Sequence, residues 1–233
     1  MKQLLFLSGI FLLFLNSCDQ VTGSGHIVTE KRTVDNFNAI SVSNSFDVEV
    51  KIGAATEVKV EADDNVIKYV VTTVSGNTLK IKMDGFHSTG NIHLKVYITT
   101  PSLNDINASA SADVKVIDPI KGAGKINFNV SSAASIDATV EAPEVEAEAS
   151  SSGTITLRGK TKTYTAQASS AGGLKTGELL SENTDVSVSS GANADVFASV
   201  NLTADASSGG DITWHGEGNV KQTISSGGSI EKK

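Results

Sequence analysis

The amino-acid sequence predicts an all-β protein: a single-stranded parallel (right-handed) β-helix, or β-solenoid, with coils of about 19 residues and an N-terminal β cap region. Three observations predict it. A block of small residues followed by an alternating strand recurs seven times at near-constant spacing. Inside each copy apolar and polar residues alternate with period two, the signature of a strand. The composition is 39% hydrophobic but only 5% aromatic, with 21 glycines, so the interior must be built from Ala, Val, Ile and Leu and must be narrow.

Taken in chain order, residues 1–17 read as a lipoprotein signal peptide. Lys2 provides a positive start, and the apolar run from Leu4 to Leu15 is too short for a comfortable membrane span. Leu15-Asn16-Ser17-Cys18 then resembles a bacterial lipobox, with an aliphatic residue at −3 and a small residue at −1 before the cysteine. The resemblance implies cleavage before Cys18 and lipidation of its sulfur and new amino group. Several acyl chains anchor a protein firmly where one does not. Cys18 is the sole cysteine, which excludes an intramolecular disulfide framework and a Cys-rich zinc site. Residues 18–35 are expected to be a lipid-anchored flexible tether, polar and Gly-containing from Asp19 to Gly25. The expected location is the cell envelope, at the outer membrane, facing the periplasm or the cell surface.

Residues 36–104 form the expected N-terminal β region, or cap, of the head domain. Strands are predicted at Ala39-Ser43, Phe46-Ile52, Glu57-Glu61, Tyr69-Val74, Thr78-Met83 and Ile92-Thr99, with a hairpin turn at Ser75-Gly76-Asn77. Asp63-Asp64-Asn65 is positioned to cap one helical turn through Val66-Ile67-Lys68. A solenoid end is an unpaired sheet edge and needs such a cover. The C-terminal end has no obvious cover beyond the charges of Glu231-Lys232-Lys233.

Residues 105–233 are the expected Ser/Gly-repeat solenoid of the same head domain. The copies begin at Ser109, Ser131, Ser150, Ser169, Ser189, Ser207 and Ser225, with spacings of 22, 19, 19, 20, 18 and 18, and a looser relative begins at Ser43. One face runs through every copy in four columns. The first holds Ala108, Val130, Ala149, Ala168, Val188, Ala206 and Ile224; the second Ala110, Ser132, Ser151, Ser170, Ser190, Ser208 and Ser226. The third holds Ala112, Ala134, Gly153, Gly172, Ala192, Gly210 and Gly228; the fourth Val114, Ile136, Ile155, Leu174, Ala194, Ile212 and Ile230. All four are expected to point inward, the serine hydroxyls bonding in a ladder where the coil narrows. Asp113, Lys115, Asp137, Thr154, Thr156, Lys175, Asp195, Asp211, Thr213 and Glu231 form the opposite, outward face. Stacked coils lie about 4.8 Å apart, so seven extend roughly 30 Å. The alternative, an antiparallel sandwich or barrel of short hairpins, does not require equivalent serines to stack.

With these strands in place, the stretch from Phe37 to Val116 (FNAISVSNSFDVEVKIG, EVKVEADDNVIKYV, GNTLKIKM, VYITTPSLNDINASASADVKV), followed by the Ser-Ser-Gly repeats, resembles the putative auto-transporter adhesin head domain family, or GIN domain. The resemblance covers residues 36–233. It implies a β-helix-like, all-β bacterial envelope protein, and it brings no catalytic residues.

Chemistry-bearing patterns are sparse. A net charge of −7 argues against nucleic acid, which requires a basic face. His26, His87, His93 and His215 show no metal spacing; Phe86-His87-Ser88-Thr89-Gly90 reads as a turn, and His215 beside Trp214 as an exposed strand end. The acidic residues match no calcium-loop pattern, so no metal and no cofactor is expected. Hydrolysis of a polysaccharide would need two converging carboxylates, and there is neither a Gly-x-Ser-x-Gly elbow nor a Gly-x-Gly-x-x-Gly loop. The expectation is therefore a non-enzymatic, adhesin-like lipoprotein, held to the membrane through Cys18, with an extracellular protein or glycan as partner. The alternative is an envelope scaffold that self-associates coil end to coil end; a polysaccharide-active enzyme ranks below both.

Overall fold

The computed structural model of the protein describes residues 20–85, 87–88 and 91–233. The signal segment and Cys18 lie outside the described residues.

From residue 105 onward every strand pairing is parallel, and each strand is hydrogen-bonded to its equivalent one coil away. Stacked parallel coils of about 19 residues make a β-solenoid of about seven turns, and the antiparallel sandwich does not occur. The repeat columns are the register itself. Val114, Ile136, Ile155, Leu174, Ala194, Ile212 and Ile230 are successive partners on one wall. Ala108, Val130, Ala149, Ala168, Val188, Ala206 and Ile224 are successive partners on the other. All but the terminal Ile224 and Ile230 are buried. Burying a Val, Leu or Ile side chain stabilises by about 1.5–3 kcal/mol, so these two walls supply much of the driving force.

The second column departs from expectation. Ala110, Ser132, Ser151, Ser170, Ser190, Ser208 and Ser226 point out to solvent, not inward. Each is the first of two consecutive residues with positive φ, for instance Ser151 at 48° and Ser152 at 62°. Two left-handed residues in succession make a tight turn of type I′, at which the alternation of faces is broken. The turn closes on itself, as Gly172 donates its amide to the Ser169 carbonyl at 2.8 Å. What stacks is backbone: the second residue of each turn donates to the carbonyl of the first residue in the next coil. Ser111 donates to Ser132, Ala133 to Ser151, Ser152 to Ser170 and Ala171 to Ser190, at 2.9–3.1 Å. The expected hydroxyl ladder is therefore replaced by an amide ladder, and the small residues serve conformation. The same turn occurs at Asn44 and Ser45, in the looser copy, where the Ser45 amide donates to Ala110 at 2.9 Å.

Residues 20–104 interleave with the coil stack. Strands Ala39–Val42 and Asp47–Ile52 form one coil, between strands Thr78–Met83 and Leu94–Thr100 on one side and the first repeats on the other. Beyond these, the pairings turn antiparallel: Val70–Ser75 with Thr78–Met83 around the Gly76-Asn77 turn, and Glu57–Asp63 with both Leu94–Thr100 and Ile27–Arg32. Residues 27–32, read from sequence as tether, are thus a strand. His87–Ser88, inside the expected turn, pairs with Gln20–Val21. Ile67–Tyr69 is a single 3₁₀ turn capped by no side chain. Asp63, Asp64 and Asn65 instead face the incoming chain: Asp63 accepts the Gly25 amide at 2.8 Å, Asp64 accepts the Ser24 hydroxyl at 2.6 Å, and Asn65 donates to the Thr22 carbonyl at 2.9 Å.

Candidate binding face

The spacings decide where the solenoid has relief. The coils that start at Ser131, Ser150 and Ser169 are 19, 19 and 20 residues long and carry a third wall, in which Val140 pairs with Gly159 and Gly159 with Leu179, and Glu141 with Lys160 and Lys160 with Leu180. The next two coils are 18 residues long. They pair with their predecessor through Asn193–Asp195 and again from Asn201, and skip the third wall. The chain cuts the corner at Phe197-Ala198-Ser199-Val200, and the Ser199 and Val200 amides rejoin the coil below at the Ser181 and Glu182 carbonyls.

The missing wall leaves a notch. Leu179 faces in and is buried, while Leu180 faces out and is 53% exposed. Phe197 is half-buried beside it, and its backbone is pinned from beneath: its carbonyl accepts the hydroxyls of the buried Ser181 and Thr184. Depressions of about 610 and 730 Å³ open on the two sides, both bordered by Leu180 and Phe197.

Charge is segregated on this face. Between Lys125 and Lys221 the chain has twelve acidic residues and four basic ones, Arg158, Lys160, Lys162 and Lys175. All four basic residues line the two depressions. Arg158 is committed to Asp137 at 2.6 Å and to Glu178 at 3.4 Å, and Lys160 reaches Glu141 at 4.0 Å. Lys162 and Lys175 are exposed and have no ion-pair partner among the described residues. His215, expected to be exposed at a strand end, is half-buried and bonded to Asp195 at 2.7 Å, while Trp214 points inward and is buried. His93 meets Glu61 at 2.6 Å, far from His215's wall. No cluster of three metal-ligating side chains occurs among the described residues. No described helix is long and apolar enough to cross a membrane. Cys18, the one site residue expected from sequence, lies outside the described residues.

Sequence reading missed Leu180, Phe197, Lys162 and Lys175 as a group, although the drop from 20 to 18 residues per coil marks the place.

The family model described as "Putative auto-transporter adhesin, head GIN domain" matches residues 36–218. Several crystal structures share the fold. A putative lipid binding protein from Parabacteroides distasonis ATCC 8503 is 21% identical, with a TM-score of 0.77 over 92% of this chain and 99% of that one. A putative adhesin from the same organism is 24% identical, with a TM-score of 0.75 over 92% and 100%. A putative adhesin from Bacteroides fragilis NCTC 9343 is 18% identical, with a TM-score of 0.80 over 91% and 99%. No curated protein matches the chain.

Proposed function

The chain belongs to the putative auto-transporter adhesin, head GIN domain family, and on that premise we propose that it is a non-enzymatic, lipid-anchored recognition or attachment protein of the outer membrane. The observation that carries the reading is the family match across nearly the whole folded body, from residue 36 to 218. The lipobox-like Leu15-Asn16-Ser17-Cys18 supports an anchor on Cys18. A rigid stack with broad strand-built walls is suited to holding a polymer or another protein.

Two measurements test this. Cys18→Ala should move the protein from the membrane fraction to the soluble fraction, and protease applied to intact cells should remove the head. A variant that stays membrane-bound sinks the anchor; complete protection from protease sinks surface recognition.

Exposed apolar side chains on strand Asn219–Ile224 favour the second reading, an end-to-end scaffold. Val220 and Ile224 there are 42% and 48% exposed. Light scattering separates the two: a strict monomer at high concentration removes the scaffold.

A further inference from the structure

We propose that the notch around Leu180 and Phe197 binds an acidic oligosaccharide in which charged and neutral sugars mix. This rests on the recognition role proposed above and names its site and ligand class.

The argument starts from the partition of charge. The acidic body repels polyanions at long range, yet between Lys125 and Lys221 all four basic residues border this one notch. Arg158 and Lys160 are neutralised by neighbouring carboxylates, whereas Lys162 and Lys175 are uncommitted. The notch thus offers two free cations, one beside each depression, among carboxylates such as Glu182 and Asp195. A uniformly charged polymer would meet those carboxylates and be repelled. A polymer with an occasional anionic group fits better: its anions reach the lysines and its neutral hydroxyls donate to the carboxylates.

The apolar element selects sugar over a bare anion. Leu180 and Phe197 form a ridge between the depressions, and pyranose rings carry C–H faces that can pack on such a ridge while their edges bond to polar groups on either side. The ridge is preorganised, because Ser181 and Thr184 hold the Phe197 carbonyl from inside the core. Rigid placement lowers the ordering cost of binding. An acidic peptide offers the same anions without paired ring faces, so it is the competing occupant that the test must separate.

The test is calorimetric titration of the full-length protein in detergent with a hyaluronan octasaccharide, a neutral maltooctaose and polyglutamate. The hyaluronan fragment should bind, more weakly as salt rises. Lys162→Glu with Lys175→Glu should weaken it about tenfold or more, and Phe197→Ser should weaken it in a protein that still folds, as circular dichroism checks. Maltooctaose should bind at least about tenfold more weakly than hyaluronan. No binding of the hyaluronan fragment, equal binding by the double-lysine variant, or equal binding of polyglutamate overturns the assignment. Cells displaying the double-lysine variant separate the two levels. Undiminished attachment with that variant sinks the notch alone; no attachment by wild-type cells to any glycan- or protein-coated surface sinks the recognition reading.

Discussion

A β-carbon on Gly172 would stand 2.3 Å from the carbonyl oxygen of Ala149, one coil away. Gly210 stands in the same relation to Val188, at 2.6 Å. At these two glycines of the third column the neighbouring coil's backbone leaves no room for a β-carbon. Gly172→Ala should destabilise the protein by about 1–3 kcal/mol, the usual cost of overpacking. Ala134→Gly, at the equivalent place in another coil, should cost about 1 kcal/mol or less. Urea denaturation of the two variants checks this; a Gly172→Ala protein as stable as wild type would show that the coils can move apart.

The turn ladder stores strain that glycine would relieve. Ala133 and Ala171 hold φ of 60° and 61° at exposed positions. A left-handed conformation disfavours an L-residue by roughly 1–2 kcal/mol, partly offset for glycine by its freer unfolded chain. Ala133→Gly and Ala171→Gly should each stabilise by about 0.5–1 kcal/mol. A lowered urea midpoint in both would refute the strain argument.

The N-terminal latch should be sensitive to acid. The His93 amide, donating to Asp63 at 2.8 Å, does most to hold that carboxyl below the usual carboxylate range; the Gly25 amide adds to it and burial opposes. A carboxyl with a depressed folded pKa contributes stability above its unfolded value of about 3.9, and loses that contribution as pH falls through the folded value. Limited proteolysis should therefore cut near residues 22–26 faster below about pH 4 than at pH 7. Asp63→Asn should be cut quickly at both; an unchanged rate in that variant would remove Asp63 as the latch.

A charge at Lys232 limits edge pairing by strand Ser229–Lys232. The Lys232 ammonium lies 4.9 Å from the centre of the Trp214 ring and 3.0 Å from Glu217, at a register position that faces inward in earlier coils. An inward-facing charge at a sheet edge discourages pairing with another edge. Lys232→Leu should associate at concentrations where the wild type does not, seen by sedimentation, with a change in Trp214 fluorescence. Identical sedimentation would mean that the edge is protected by other means.

Much of the fold was legible because the solenoid converts sequence period into space. The columns through Val114 and Ala108 became two walls, since each residue pairs with its counterpart one period later. The serine column was misread because alternation was carried across the turn, where two left-handed residues reverse the chain. Asp63 to Asn65 were read as a helix cap from local order alone, while their partners, Thr22 to Gly25, lie about forty residues away.

By itself the sequence determined the class of fold, the coil length and the residues of each wall, since period and alternation are local properties of the chain. Tertiary structure alone decided which side chains the break in that regular stack brings together. Two coils that are short by one or two residues shift nothing in the local pattern, yet they leave one wall unbuilt and bring Leu180, Phe197, Lys162 and Lys175 to one notch. Those residues come from three different coils, and only stacking places them together.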